Sequence, residues 1–141
     1  MRWFSLACFA CTLFSGCSDP IVPVDTTPLL GNYSITITAN GKSDGDTVTI
    51  NRGSDNYVLL NFVFGISQVR CAVGGSGSLT LPRQVLHVSH STGVADGMAT
   101  GTGKIDAEGK IELEIDLMTP GIGPSDGGAG PVVYQIAGMR N

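Results

Sequence analysis

His87 and His90 are the only histidines in the chain, so they are the first residues to test for chemistry. On an extended strand, side chains three positions apart point to opposite faces, and two such histidines cannot readily share one metal ion. A metal site would also need further ligands, and no cysteine or carboxylate cluster lies close by in the sequence. Asp44 and Asp46 with Ser43, and separately Ser125 with Asp126, could offer loop oxygens to calcium. Calcium takes about six to eight oxygens, so two carboxylates would need much help from backbone and water. The glycine-rich runs Gly74–Ser78 and Gly101–Gly103 lack the strand-to-helix setting and the Lys-Ser/Thr ending that a phosphate cradle requires. They read instead as bends in a curved sheet. No Gly-x-Ser-x-Gly elbow is present, and spacing assembles no Ser/His/Asp set. Hydrolysis would need Asp, Glu or His residues brought together from distant parts of the chain by the fold, either two carboxylates or His87 with an acid converging in a cleft.

The run Lys104-Ile105-Asp106-Ala107-Glu108-Gly109 resembles the middle of an EF-hand calcium loop. Aligning Gly109 with that loop's glycine puts Lys104 at the first ligand position and Ile115 at the last, where carboxylates are needed. The flanking residues alternate apolar and polar, so the run is expected to be a hairpin turn. Cys71 sits between Arg70 and Ala72 with Val69 and Val73 beyond, and it reads as a small buried hydrophobe. Arg70 is the one neighbour able to depress its pKa.

The elements that must position these residues are foreshadowed by composition. Charged residues make up 14% of the 141 residues, below the roughly 25% usual for globular domains, while Gly numbers 20, about twice its usual share. Gly weakens helices, and helical surfaces usually carry Lys and Glu, so a helical architecture is disfavoured. The net charge of −4, with 8 Lys+Arg against 12 Asp+Glu, argues against a nucleic-acid partner. Plentiful apolar residues argue against disorder. A single all-β domain is expected.

The N-terminus carries the most specific signal. Met1-Arg2 supplies one positive charge, and no charge follows from Trp3 to Phe14. As a helix that run would cover only about 18 Å, short of a bilayer core. A basic start, an apolar run and then small residues is the pattern of a secretory signal, and no Ala-x-Ala-type cleavage site follows. Leu13-Phe14-Ser15-Gly16-Cys17 resembles the lipobox of bacterial lipoproteins, with Phe14 where that family more often has an aliphatic residue. The resemblance implies removal of residues 1–16, acylation of Cys17 and membrane attachment through its lipid, with Ser18 pointing to the outer membrane. Two or three acyl chains anchor stably where one does not. Cleavage would take away Arg2, moving the net charge to −5, together with Cys8 and Cys11. Cys71 would then be the one free thiol. The competing expectations are ordinary secretion with cleavage elsewhere and an apolar terminus that is never processed.

Residues 17–30 would then comprise the acylated cysteine and a tether with Pro20, Pro23 and Pro28, and residues 31–141 are expected to form the domain. Within it the period is two. Tyr33, Ile35 and Ile37 alternate with polar residues; Asn40 to Asp46 has turn chemistry; Thr47 to Ile50 alternates again. Tyr57 to Ile66 is apolar on both faces, so it is either covered on both sides or exposes one to a partner. Val69–Val73, Leu79–Leu81 and Gln84–Ser89 read as strands, the last two separated by Pro82. Met98–Ile105 and Lys110–Leu117 form a hairpin around Asp106–Gly109, with Ile111, Leu113, Ile115 and Leu117 inward. A Gly- and Pro-rich loop from Thr119 precedes a strand from Val132.

About seven to nine short strands in an antiparallel meander form either a small barrel or a sandwich. The Gly31-x-Tyr33 entry and the closing Val132-Val133-Tyr134-Gln135-Ile136-Ala137-Gly138-Met139-Arg140 strand resemble small lipocalin-like or β-barrel bacterial lipoproteins of uncharacterised function. The expected function is a non-enzymatic, lipid-anchored envelope domain that binds a protein partner or a small apolar ligand, or else serves as an assembly subunit. No metal, cofactor or nucleic acid is implied. Tyr33, Ile35, Phe62, Phe64, Leu113 and Ile115 would line a ligand cavity or fill a solid core.

Overall fold

Alternating side chains can bury one face only if the sheet covers that face with itself or with another layer. Here the sheet curls onto itself. The computed structural model describes residues 23–90, 93–118 and 132–141. Eight antiparallel strands follow one another around a closed barrel: β1 Gly31–Ala39, β2 Lys42–Arg52, β3 Tyr57–Phe62, β4 Val69–Val73, β5 Ser78–His90, β6 Gly93–Ile105, β7 Lys110–Met118 and β8 Val132–Arg140. Closure is made by β1 against β8, with Ile37 opposite Ile136 and Tyr33 opposite Arg140. Closing the ring removes the sheet edges, which settles barrel over sandwich.

The core follows from the alternation. Tyr33, Ile35 and Ile37 on β1, Val48 and Ile50 on β2, and Ile111 to Leu117 at every second position on β7 are all buried. Each such Ile or Leu withdrawn from water contributes about 1.5–3 kcal/mol of transfer free energy. β6 supplies small inward residues instead: Gly97, Ala99, Gly101 and Gly103 alternate along it. The reason is close approach. A Cβ at Gly101 or Gly103 would overlap the carbonyl oxygen of Glu114 or Glu112 on β7, so the strands coil tightly only because those positions have no side chain.

Several local expectations change. Asn40 and Gly41, both at positive φ, make the first turn alone, and Lys42–Asp46 extend β2 rather than the loop. The apolar run from Tyr57 ends as a strand at Phe62, with one more backbone bond from Val63 N–H to Thr47 O (3.0 Å), and then bends away. Pro82 does not break β5, because a bulge between Leu81 and Gln84 absorbs it opposite β6. Asp106 Oδ1 accepts the backbone N–H groups of Glu108 and Lys110 (3.0 and 2.9 Å), and Gly109 takes φ 84°, completing the expected hairpin turn.

One end of the barrel is covered by the chain that leads into it. Residues Thr27–Leu29 form a single 3-10 turn, Leu29 is buried, and Val24 packs on the core. The Tyr33 hydroxyl donates to Leu29 O (2.8 Å) and accepts from Arg140 Nε and Nη2 (3.2 and 3.0 Å), while Arg140 also donates to Pro28 O. Asn56 Oδ1 accepts the Val24 N–H (3.0 Å) and Arg52 donates to Thr27 Oγ1 (2.7 Å). The chain entry, the β2–β3, β4–β5 and β6–β7 turns therefore share one end, called the near end; the β3–β4 connection lies at the far end.

Candidate functional site

Strand register brings His87 directly opposite Asp96 on the outer wall of β5–β6. His87 Nδ1 and Asp96 Oδ1 are hydrogen-bonded, with side-chain exposures of 55% and 68%. An acid that orients an imidazole is half of an acid–base relay. The other half needs a hydroxyl within reach of the free ring nitrogen. The nearby Ser67 Oγ instead accepts the backbone N–H of His87 (3.1 Å), which ties the β3–β4 connection to β5. The pair stands on the exposed outer wall and joins β5 to β6.

Asp46, expected in a loop, lies on β2 and is committed to backbone. Asp46 Oδ1 accepts from Thr47 N (2.7 Å) and Oδ2 from Phe64 N (3.2 Å), so this side chain holds the β3–β4 connection against β2. Among the described residues, no group of three or more His, Cys, Asp or Glu could hold a metal ion. Cys17, Ser125 and Asp126 lie outside the described residues, as does the side chain of His90.

Of the residues expected to line the interior, Tyr33, Ile35, Leu113 and Ile115 are buried inside the barrel, and Phe62 is half-buried against the same core. Phe64 is different. Strand β3 ends at Phe62, the alternation ends with it, and Phe64 is 70% exposed beside Val63 at the far end. The interior is occupied by large side chains, among them Leu60, Leu79, Leu81, Leu86, Ile105 and Ile136.

Cys71 is fully buried on β4, and burial pushes its thiol up to about 12. Arg70 cannot oppose that shift, because it points outward with its guanidinium 3.6 Å from the centre of the Tyr57 ring. This stacking covers Tyr57 on the outer face of β3, whose inner face is Val58 and Leu60.

Two features of the outer wall could not be read from local sequence. Thr102, Lys104, Glu112, Glu114, Gln135 and Ala137 line a shallow open groove across β6–β7–β8. At its edge, Glu112 lies 2.7 Å from Lys110 Nζ, and this hydrogen-bonded pairing lowers the Glu112 carboxyl and raises the Lys110 amine from their ordinary values. On β5–β6–β7, Val85, Met98 and Met118 stand in one cross-strand row, exposed by 68%, 37% and 62%. The signal that could have found them was present as apolar residues at outward positions; the register that aligns them was not.

No protein-family model, no curated protein and no solved structure matches this chain.

Proposed function

We propose that this chain is a lipid-anchored envelope protein that works by binding, through its outer surface, a protein partner. The observation that carries the reading is the placement of exposed apolar residues. Val63 and Phe64 project at the far end, opposite the end where the chain enters, while the interior is occupied by side chains. An exposed Phe on a connection held by Asp46 and Ser67 is a pre-ordered apolar anchor, the kind of residue on which interface energy concentrates. Anchoring rests on the lipobox resemblance around Cys17. From Cys17 to Pro23 the chain can reach about 20 Å when fully extended, so an acylated Cys17 would hold the near end close to the membrane. Phe64 would then face away from it.

Three experiments test this, the first two on the full chain in a bacterial host. Cys17→Ser should release the protein from membranes, and undiminished retention would sink the anchoring claim. A photoreactive amino acid placed at position 64 should give a discrete higher-mass adduct in living cells. Native mass spectrometry of the detergent-released chain covers the other occupant, since a stoichiometric extra mass would mean a small apolar ligand. Failure to find either adduct or ligand would overturn the binding reading.

A further inference from the structure

We propose that the outer wall of β5–β6–β7 is an interface with a second copy of this chain, packed face to face about a twofold axis running along β6. Val85, Met98 and Met118 lie directly opposite one another across the three strands. The next row is polar: Thr100 pairs with Asp116 on β7, and on its other side the β5 bulge carries Arg83. Arg83, Met98, Thr100, Asp116 and Met118 together line one surface depression. Among the described residues, neither Arg83 nor Asp116 has a hydrogen-bond or ion-pair partner.

The charge arrangement selects the occupant. A twofold axis along β6 leaves height along the strand unchanged and exchanges the β5 side with the β7 side. Met98 then meets Met98 across the axis, and Val85 meets the second copy's Met118. Arg83 of each copy lies over Asp116 of the other, so one contact yields two reciprocal ion pairs. Such self-complementarity is what an isologous interface requires. Sheets pack face to face at about 10 Å, a gap that a long Arg opposite an Asp can bridge. The flexible methionines can follow the convex wall, where stiffer side chains would leave voids. The patch is small, so the dimer is of the weak class, and confinement to a membrane would strengthen it by raising local concentration. The inference goes beyond the proposed binding at Phe64 and does not rest on it.

The test is sedimentation equilibrium of the full chain in density-matched detergent, up to about 0.5 mM. The unaltered chain should show a reversible monomer–dimer equilibrium. Arg83→Asp and Asp116→Arg should each weaken it about tenfold or more, and the double exchange should restore it. As a second readout, Met98→Cys should be captured as a dimer by a short bifunctional maleimide above the background of the unaltered chain, whereas Thr36→Cys on β1 should not. A monomer throughout the range, a dimer indifferent to the single reversals, or a loss that the exchange does not restore would each overturn the proposal. Any of these outcomes leaves the position-64 result unaffected.

Discussion

The side-chain amide of Gln84 takes the place of a strand beside Arg70. Its Oε1 accepts the Arg70 N–H (3.0 Å), and its Nε2 donates to Arg70 O (2.8 Å) and to Pro82 O (3.1 Å). Backbone pairing between β4 and β5 is confined to Ala72 with Thr80 and Val73 with Leu79, because the bulge at Pro82 carries β5 out of register. The amide, with both a donor and an acceptor end, satisfies both backbone polar groups of Arg70 in the exposed wall. Gln84→Ala should therefore cost about 0.5–1.5 kcal/mol in urea unfolding, and Gln84→Glu should not recover it, because a carboxylate cannot donate to Arg70 O. A Glu variant as stable as the native chain would show that these bonds carry no weight.

Close approach makes a second prediction. Gly101→Ala should destabilise the barrel by about 1–3 kcal/mol or more, because the new methyl meets the backbone of β7 rather than a side chain that can move. Gly45→Ala, on the exposed part of β2 with open space around its Cβ position, should be neutral or stabilise by about 0.4–1 kcal/mol. Thermal unfolding of the two variants side by side checks the contrast, and equal midpoints would refute it.

The near-end cover depends on one hydroxyl. Tyr33→Phe removes the acceptor shared by Arg140 Nε and Nη2 and the donor to Leu29 O. The expected loss is about 1–3 kcal/mol, read locally as faster amide exchange at Leu29 and Leu30 with little change at Leu113 or Ile115. Unchanged protection at Leu29 would mean that apolar packing alone holds the segment down.

Alkaline pH should unfold the protein through Cys71. Its folded pKa stands near 12 against an ordinary 9.0, so the folded state prefers the neutral thiol. Stability from this group is complete below about pH 9 and is lost as pH rises from there toward 12, by about 1.4 kcal/mol per unit. Cys71→Val keeps the site apolar and should flatten that loss. Urea midpoints at pH 8 and pH 11 for both chains measure it, and parallel declines would exclude the thiol as the cause.

How much of this was legible beforehand depends on the range of the interaction. Ile111, Leu113, Ile115 and Leu117 announce a strand because burial on one face imposes a period of two, and Asp106 with Gly109 announces the turn because its bonds are formed within a few residues. The all-β class follows from the same arithmetic. Phe64 misled because parity predicts a side only while a strand continues, and the bend after Phe62 is held by Asp46 and Ser67, neither of which the apolar run itself contains. Pro82 misled for the matching reason: proline forbids a ladder bond, but a bulge can place it where none is needed.

What the chain determined by itself is therefore local: alternation, turns and the buried thiol. What only the tertiary structure decided is everything set by register between strands. Closure of β8 on β1, the meeting of His87 with Asp96, the substitution of Gln84 for a missing strand and the alignment of Val85, Met98 and Met118 all depend on which residue stands opposite which. A one-residue slip exchanges inside for outside along a whole strand, and only the packing of all eight strands around one core makes a single register the lowest in free energy.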